Sequence, residues 1–337
     1  MSEGWLRALR ETPELRERVA LIGLVDLDAA LARSRADANG FGAAIASDDL
    51  QAVLGAEKPD LVFDLVIPAA RHQVVTTALA HGAHVLSEKP MANSLAEARS
   101  LIAAASAAGR LHGIIQNRRF LHGIRRVKAM IDGGALGNLT AVHADFFIGA
   151  HFGGFRDRMD HVLLLDMAIH TFDAARYLIG TTAQAVYCRE SNPEGSWYAQ
   201  GASADALFDF EDGVTMTYRG SWCAEGANTA WEASWRIIGT KGTLIWDGND
   251  GIVAQTVAGD TGFLRELAPV EPPPADTLTE GHAGAILDFV TAVERGTRPM
   301  TDGCDNINSL AMVFAAIASA GSGRRVAVTP HEKVHHD

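Results

Sequence analysis

Cysteine is scarce in this chain. Cys188, Cys223 and Cys304 are the only three, far apart and without the spacing of a metal site. That gives no disulfide framework and fits a reducing, cytoplasmic setting. Long apolar runs are missing as well. None approaches the roughly 18 residues of a membrane span, and the N-terminus has no signal-peptide core, so no membrane partner is expected. Positive charge is in deficit: 29 Lys and Arg stand against 41 Asp and Glu, for a formal charge of −12. Such a balance argues against nucleic acid or an anionic lipid surface as partner.

What remains is an ordinary globular composition, 47% hydrophobic, in 337 residues, more than one hydrophobic core normally serves, so two domains are expected. Trp5, Leu6 and Leu9 share a helix face that Ser2 can cap. The run from Val19 to Val25 is continuously apolar, as in a parallel strand buried on both faces, and it ends at Asp26. Helix 29–35, a strand near 43–45 and a helix after a Ser47 cap follow. Next come strand 61–66, helix 70–81, strand 84–87, helix 94–108 and strand 111–115. Such alternation predicts a doubly wound α/β sheet with helices on both faces.

Asp26 stands where a dinucleotide-binding sheet carries the acid that binds the ribose 2′-OH. That acid follows a Gly-x-Gly-x-x-Gly loop by about 20 residues, and no such loop precedes Asp26. An Asp at this place also serves simply as a helix cap. Without the loop and the strand before it, the sheet keeps unpaired edges in its middle. The expectation is that Met1 is an internal methionine and that the natural protein begins upstream.

The second half opens with a helix that reaches Gly133-Gly134, then a long alternating strand, 139–148. A glycine-rich loop, 149–158, carries His151 and Arg156. The segment 161–180 reads as a helix on which Asp166 and His170, four apart, share a face. Strands follow at 184–189, 204–210, 214–218, 231–238, 243–246 and 251–257, mostly at hairpin spacing. They predict one large, mainly antiparallel sheet. Helices 283–295 and 306–320 and a strand at 325–328 complete the pattern. The domains expected are 1–120, Rossmann-like with its first strand missing, and 121–330, an α+β domain with an open sheet. The tail 331–337 is read as disordered.

Three features converge on chemistry. His84-Val-Leu-Ser-Glu88-Lys89-Pro90 is a short apolar strand that stops at a proline, and ligands of α/β sheets gather beyond such strand ends. Ile67-Pro68-x-x-x-His72 follows the preceding strand. Leu165-Asp166-Met-Ala-Ile-His170-Thr-Phe-Asp173 opens the long helix. Together with Asn117-Arg-Arg-Phe120 and Gly133-Gly-Ala-Leu-Gly137, the ordered set resembles the glucose-fructose oxidoreductase, inositol dehydrogenase and rhizopine-catabolism (Gfo/Idh/MocA) family over nearly the whole chain. The bland alternatives are a solvated strand-end lysine and a helix-surface Asp/His pair.

The resemblance implies an enzyme that passes hydride between NAD and a secondary alcohol of a polyol, cyclitol, sugar or sugar derivative. Lys89, Asp166 and His170 map to its catalytic set. A histidine can take the hydroxyl proton near neutral pH, and a lysine ammonium can stabilise the developing alkoxide. The Lys-Pro bond is typically cis in the family. Asp26, Ile67, Pro68, His72, Glu88, Lys89 and Asn117 are the cofactor candidates, although His72 and Asn117 also suit helix capping. Arg118 and His161 are candidates for substrate contact. Asp26 favours NAD over NADP, since a carboxylate repels a 2′-phosphate. No metal is called for, because hydride transfer needs none. Asp173 is expected to pair with Arg176 or Tyr177. Trp222, Trp231 and Trp235 suit the core or a subunit interface better than a sugar platform. A homodimer or homotetramer through the open sheet is expected. Two other readings are a non-catalytic sugar- or nucleotide-binding member, and a lyase or hydrolase that uses NAD transiently.

Overall fold

The computed structural model describes residues 2–329; the predicted tail lies outside them. The chain divides into two compact units. One comprises the chain to Asn117 together with Leu278–Asn306, the other Arg118–Thr277 together with the chain from Ile307 onward. Leu278–Asn306 therefore returns to the first unit, whereas a single boundary near residue 120 assigns it to the second.

In the first unit, α1 (Ser2–Glu11) buries Trp5, Leu6, Ala8 and Leu9, the face set by their spacing. Pro13 opens α2 (Pro13–Arg18) at a position where its missing N–H costs nothing. Strand β1 (Gly23–Val25) leads to α3 (Ala29–Ala38), whose N-cap Asp28 accepts from the N–H groups of Ala30 and Leu31. β2 is Ile45–Ser47, two residues later than expected. The helix after it, α4 (Leu50–Glu57), is capped by Asp49 rather than Ser47, because Asp49 accepts from Ala52 N–H. Then come β3 (Leu61–Asp64), α5 (Pro68–Ala80), β4 (His84–Ser87), α6 (Leu95–Ala108) and β5 (His112–Ile114).

The strands of this unit pair in parallel, but they form two sheets, β1-β2 and β3-β4-β5, and one isolated antiparallel bridge joins Gly113 to Asp302. A single continuous sheet is not formed by the described residues. α9 (Gly281–Arg295) packs on α1, α2 and β4. Its Phe289 lies where a Cβ on Gly113 would come within 2.8 Å, so β5 has glycine there.

The second unit begins with α7 (His122–Asp132) and β6 (Leu139–Phe147). Leu163–Ala168 is π-helical and runs into α8 (Ile169–Ile179). β7 (Ala183–Ser191), β8 (Ser203–Phe210), β9 (Thr215–Ser221), β10 (Ser234–Gly239), β11 (Gly242–Trp246), β12 (Ile252–Val257) and β13 (Leu267–Val270) follow. With β14 (Val326–Ala327) they form a nine-stranded sheet in the order β13-β12-β11-β10-β6-β9-β8-β7-β14. Every pairing is antiparallel except β6 with β9. β13 has no counterpart in the sequence reading: its Leu-Ala-Pro-Val is too short for an alternation signal, and Pro269 counts against a strand except at an edge. It is one of the two edge strands.

Alternation sorts the two faces of this sheet. Val142, Phe146, Phe208, Met216, Tyr218, Trp235, Ile237, Leu244 and Trp246 are buried. Trp222 and Trp235 are thus core residues. His143, Asp145, Asp205, Leu207, Thr217, Arg219, Arg236 and Ile245 line the other face, around a depression of about 910 Å³. α10 (Gly303–Ser322) supplies buried Leu310, Val313 and Ala316. No helix among the described residues is long and apolar enough to cross a membrane.

Candidate active site

Strand β4 delivers Glu88, Lys89 and Pro90 at its carboxyl end, and the Lys89–Pro90 bond is cis. Arg71 on α5 secures this end from below. Its Nε donates to Asp64 at 2.6 Å, Nη2 to the Val66 carbonyl at 2.6 Å, and Nη1 to the Pro90 carbonyl. Both Arg71 and Asp64 are fully buried. Burial pushes the Asp64 carboxyl above its usual range, against the pull of the Arg71 guanidinium beside it. The Glu88 carboxylate is fixed from two sides: Trp5 Nε1 donates to Oε1 at 2.9 Å and the Lys89 N–H to Oε2 at 3.2 Å. His282 on α9 lies edge-on to Trp5, ring centroids 6.3 Å apart, with Asn117 Nδ2 3.2 Å from its Nδ1. Burial lowers the His282 pKa, and the Glu88 charge opposes that shift.

The remaining candidates of this unit are scattered. His72 is hydrogen-bonded to Ser100 at 3.0 Å, joining α5 to α6. Ile67 is the N-cap of α5, 59% exposed, and Pro68 is its first residue. Asp26 follows β1, exposed, and its Oδ1 accepts from Asp28 N–H at 3.1 Å.

In the second unit Asp166 lies within the π-helical segment and His170 in the first turn of α8. The wider π turn interrupts the α register assumed for the pair, and such insertions are frequent at functional sites. Asp166 Oδ2 accepts from Arg156 Nε at 2.6 Å, with the carboxylate 10% exposed. The Arg156 guanidinium sits 5.0 Å and 4.8 Å from the ring centres of Phe152 and Phe155. His161 takes a left-handed φ of 51° and pairs its Nδ1 with Glu190 Oε2 at 2.5 Å. Gly201 permits that pair: at φ +64° a Cβ there would lie 2.6 Å from Glu190 Oε1 and 2.8 Å from His161 Cα.

Neighbouring arginines have separate fates. Arg119 makes a buried two-pronged pair with Asp173, at 2.7 and 2.6 Å, and Ser309 donates to the same carboxylate at 2.7 Å. Arg176 reaches Asp173 only at 3.9 Å. Arg119 is therefore the partner missed by the expectation of Arg176 or Tyr177, which counted only neighbours on the same helix. Arg118 donates to the Trp231 carbonyl and to Met167 Sδ at 3.5 Å.

Residues 5–115 match the family described as oxidoreductase family, NAD-binding Rossmann fold, and residues 124–245 match the GFO/IDH/MocA C-terminal domain. The chain belongs to the GFO/IDH/MocA oxidoreductases. It is similar to a D-apiose dehydrogenase of Paraburkholderia graminis, 27% identical over 318 residues, covering 91% of this chain and 82% of the relative. A 1,5-anhydro-D-fructose reductase of Ensifer adhaerens is 25% identical over 311 residues, 90% of each chain. In fold it is similar to an Agrobacterium radiobacter oxidoreductase solved with NAD+, L-tartaric acid and magnesium. That structure has a TM-score of 0.81 and 22% identity, and the match covers 96% of both chains.

A family of this kind uses a nicotinamide cofactor, and the residues of the first unit fit its ribose end. Asp26 presents an exposed carboxylate just past a parallel strand, and among the described residues only one of its oxygens is engaged. Two vicinal ribose hydroxyls suit such a group, whereas a 2′-phosphate does not. The phosphate end is another matter, since no Gly-x-Gly-x-x-Gly precedes Asp26 in this sequence. Arg71, Trp5, His282, Arg156 and Glu190 are the side chains that sequence reasoning did not assign. Trp5 and Glu88 stand 83 positions apart, a pairing without a local signal.

Proposed function

We propose that this GFO/IDH/MocA oxidoreductase transfers hydride between NAD and a secondary alcohol of a polyol, cyclitol, sugar or sugar derivative. The observation that carries the proposal is the match of both units to the family by residues 5–115 and 124–245. The Glu88-Lys89-Pro90 and Asp166/His170 motifs are intact within those spans. The named relatives, a D-apiose dehydrogenase and a 1,5-anhydro-D-fructose reductase, support the substrate class.

The bound nicotinamide supplies the hydride acceptor; the protein's task is to manage the proton and the charge. His170 takes the proton of the reacting hydroxyl as general base. The Lys89 ammonium donates to the same oxygen and stabilises its developing negative charge. Asp166, braced by Arg156, accepts hydrogen bonds from neighbouring substrate hydroxyls. Glu88, Ile67, Pro68, His72 and Asn117 serve the cofactor, with Asp26 at its ribose, and His161 meets the substrate.

The reading extends to assembly and place. The open face of the nine-stranded sheet, with Tyr187, Leu207, Ile245 and Val253 between 38% and 63% exposed, closes a homodimer or homotetramer. The three cysteines form no disulfide, in keeping with a cytoplasmic protein. The test is reduction of NAD against a panel of polyols and sugars by wild type, Lys89→Ala and His170→Ala. Turnover by wild type that both folded variants lose supports the reading, and equal turnover in all three sinks it.

A further inference from the structure

Most structurally engaged arginines of this protein have a carboxylate in reach. Arg71 has Asp64, Arg119 has Asp173, Arg125 has Asp276, Arg156 has Asp166, and Arg219 has Asp145. Arg118, like Arg110 and Arg126, is held by uncharged acceptors instead. No carboxylate lies within ion-pair distance of it among the described residues, and its contacts are a backbone carbonyl and a thioether. A guanidinium carries five donors, so most of its capacity is unspent. Burial lowers its pKa only to about 10, with the Glu232 charge opposing the shift, so it stays cationic at neutral pH.

The surroundings close into a ring within the second unit. Arg118 holds the Trp231 carbonyl; the Trp231 ring lies 6.2 Å from Phe152; Phe152 lies under Arg156; Arg156 holds Asp166; and Met167, next in sequence, touches Arg118. The Asp166 charge is cancelled by Arg156, so Arg118 is the remaining cation of the ring, with the Glu232 charge near it but outside ion-pair distance. Trp231 and Phe152 are each 46% exposed and offer flat apolar faces of the sort that stack on C–H faces of sugars. Beside Phe152, at 5.2 Å between ring centres, the fully buried Trp222 has an indole N–H with no acceptor among the described residues. A buried donor in that condition calls for an explanation.

We propose that the substrate is a polyhydroxylated carboxylate, an aldonic or uronic acid, whose carboxylate is received by Arg118 while its carbon chain lies against Trp231 and Phe152. A planar carboxylate matches the guanidinium fork and answers its charge. The inference rests on the reading of this chain as a sugar or polyol oxidoreductase and narrows its substrate class.

The test is direct binding to the full 337-residue chain, followed by tryptophan fluorescence and calorimetry. The probes are D-gluconate and D-galacturonate, their neutral counterparts D-glucitol and D-galactose, and D-galactose 1-phosphate. The acids should bind at least about tenfold tighter than the neutral compounds and the sugar phosphate. A charge-assisted hydrogen bond is the source of that margin. Arg118→Met should erase it, and Arg118→Lys should restore part, having charge without the fork. Equal binding of acids and neutral sugars by wild type overturns the proposal, as do a preference for the phosphate, failure of either acid to bind, and an acid affinity untouched in folded Arg118→Met. The wild-type comparison requires no variant to fold. Acid binding without NAD reduction would overturn the oxidoreductase reading and leave this one standing; reduction of NAD by neutral sugars alone would do the reverse.

Discussion

The indole N–H of Trp5 donates to the Glu88 carboxylate at 2.9 Å, joining the first helix of the chain to the end of β4. Trp5 is 2% exposed and Glu88 5%, so water replaces neither partner. Since the other Glu88 oxygen receives the Lys89 N–H, the helix position bears on the backbone of the proposed catalytic lysine.

Trp5→Phe keeps most of the ring, which packs 5.3 Å from Phe63, and deletes only the donor. Leaving one buried carboxylate oxygen without its partner should cost about 1–3 kcal/mol, read as a lowered urea midpoint with unchanged slope. Trp5→Ala adds a cavity and should cost more, about 3–5 kcal/mol. Equal stability of wild type and Trp5→Phe would show that the hydrogen bond contributes nothing.

His112 gives the first unit a sensitivity to acid. It is buried on β5, its Nε2 3.0 Å from Ser87 Oγ, and burial, aided by the Arg71 charge, pushes its pKa from 6.5 down to about 3. Between those values the unfolded chain binds a proton that the folded chain refuses, so stability is full above 6.5 and is lost as pH falls toward about 3. The slope is about 1.4 kcal/mol per pH unit. Asp64 and Asp288, both raised by burial, act in the opposite sense, so the measurement must be a difference. The urea midpoint of His112→Gln should fall less than that of wild type between pH 6.5 and pH 4. Parallel curves would refute the assignment.

In the second unit Asp173→Asn should be among the most damaging single-atom-scale changes. Arg119, at 6% side-chain exposure, would keep its charge and lose its counter-ion, and breaking such a buried pair by removing one member costs about 3–5 kcal/mol. Ser309, which donates to Asp173 and accepts from Arg176 at 2.9 Å, would lose its place in the same network. Arg119→Met with Asp173→Leu should recover part of the loss, because no charge is then stranded. Thermal denaturation of the singles and the double closes the cycle.

These networks mark where the sequence is readable. Periodicity and turn residues locate most strands and helices within two residues, because the pattern of burial is written locally: Trp5, Leu6 and Leu9 on one helix face, or Phe208 and Phe210 on one strand face. Motif order is what puts Lys89, Asp166 and His170 forward as the proposed catalytic set. Tertiary partners are not local. Asp173 has Arg176 one turn away, yet Arg119, arriving from the turn before α7, reaches it with better geometry. The π-helical segment at Leu163–Ala168 has no sequence signature either, since an extra residue in a turn leaves hydrophobic spacing nearly unchanged. Asp49 takes the cap of α4 over Ser47 by a choice between adjacent good capping residues.

The open sheet offers the last prediction. Leu207 is 44% exposed at the centre of β8, opposite Tyr187 on β7 and Thr217 on β9, and Ile245 on β11 is 38% exposed. Their side chains leave the face opposite the core, so Leu207→Glu with Ile245→Glu should change fold stability by no more than about 1 kcal/mol per site, the range of strand preferences. Two carboxylates per chain brought against their copies across an interface would repel and lose the apolar contact. Light scattering behind size exclusion should therefore find an oligomer for wild type and a mass near one chain for the folded double variant. A variant that keeps the wild-type mass places the subunit contact elsewhere, and a monomeric wild type removes the proposed assembly altogether.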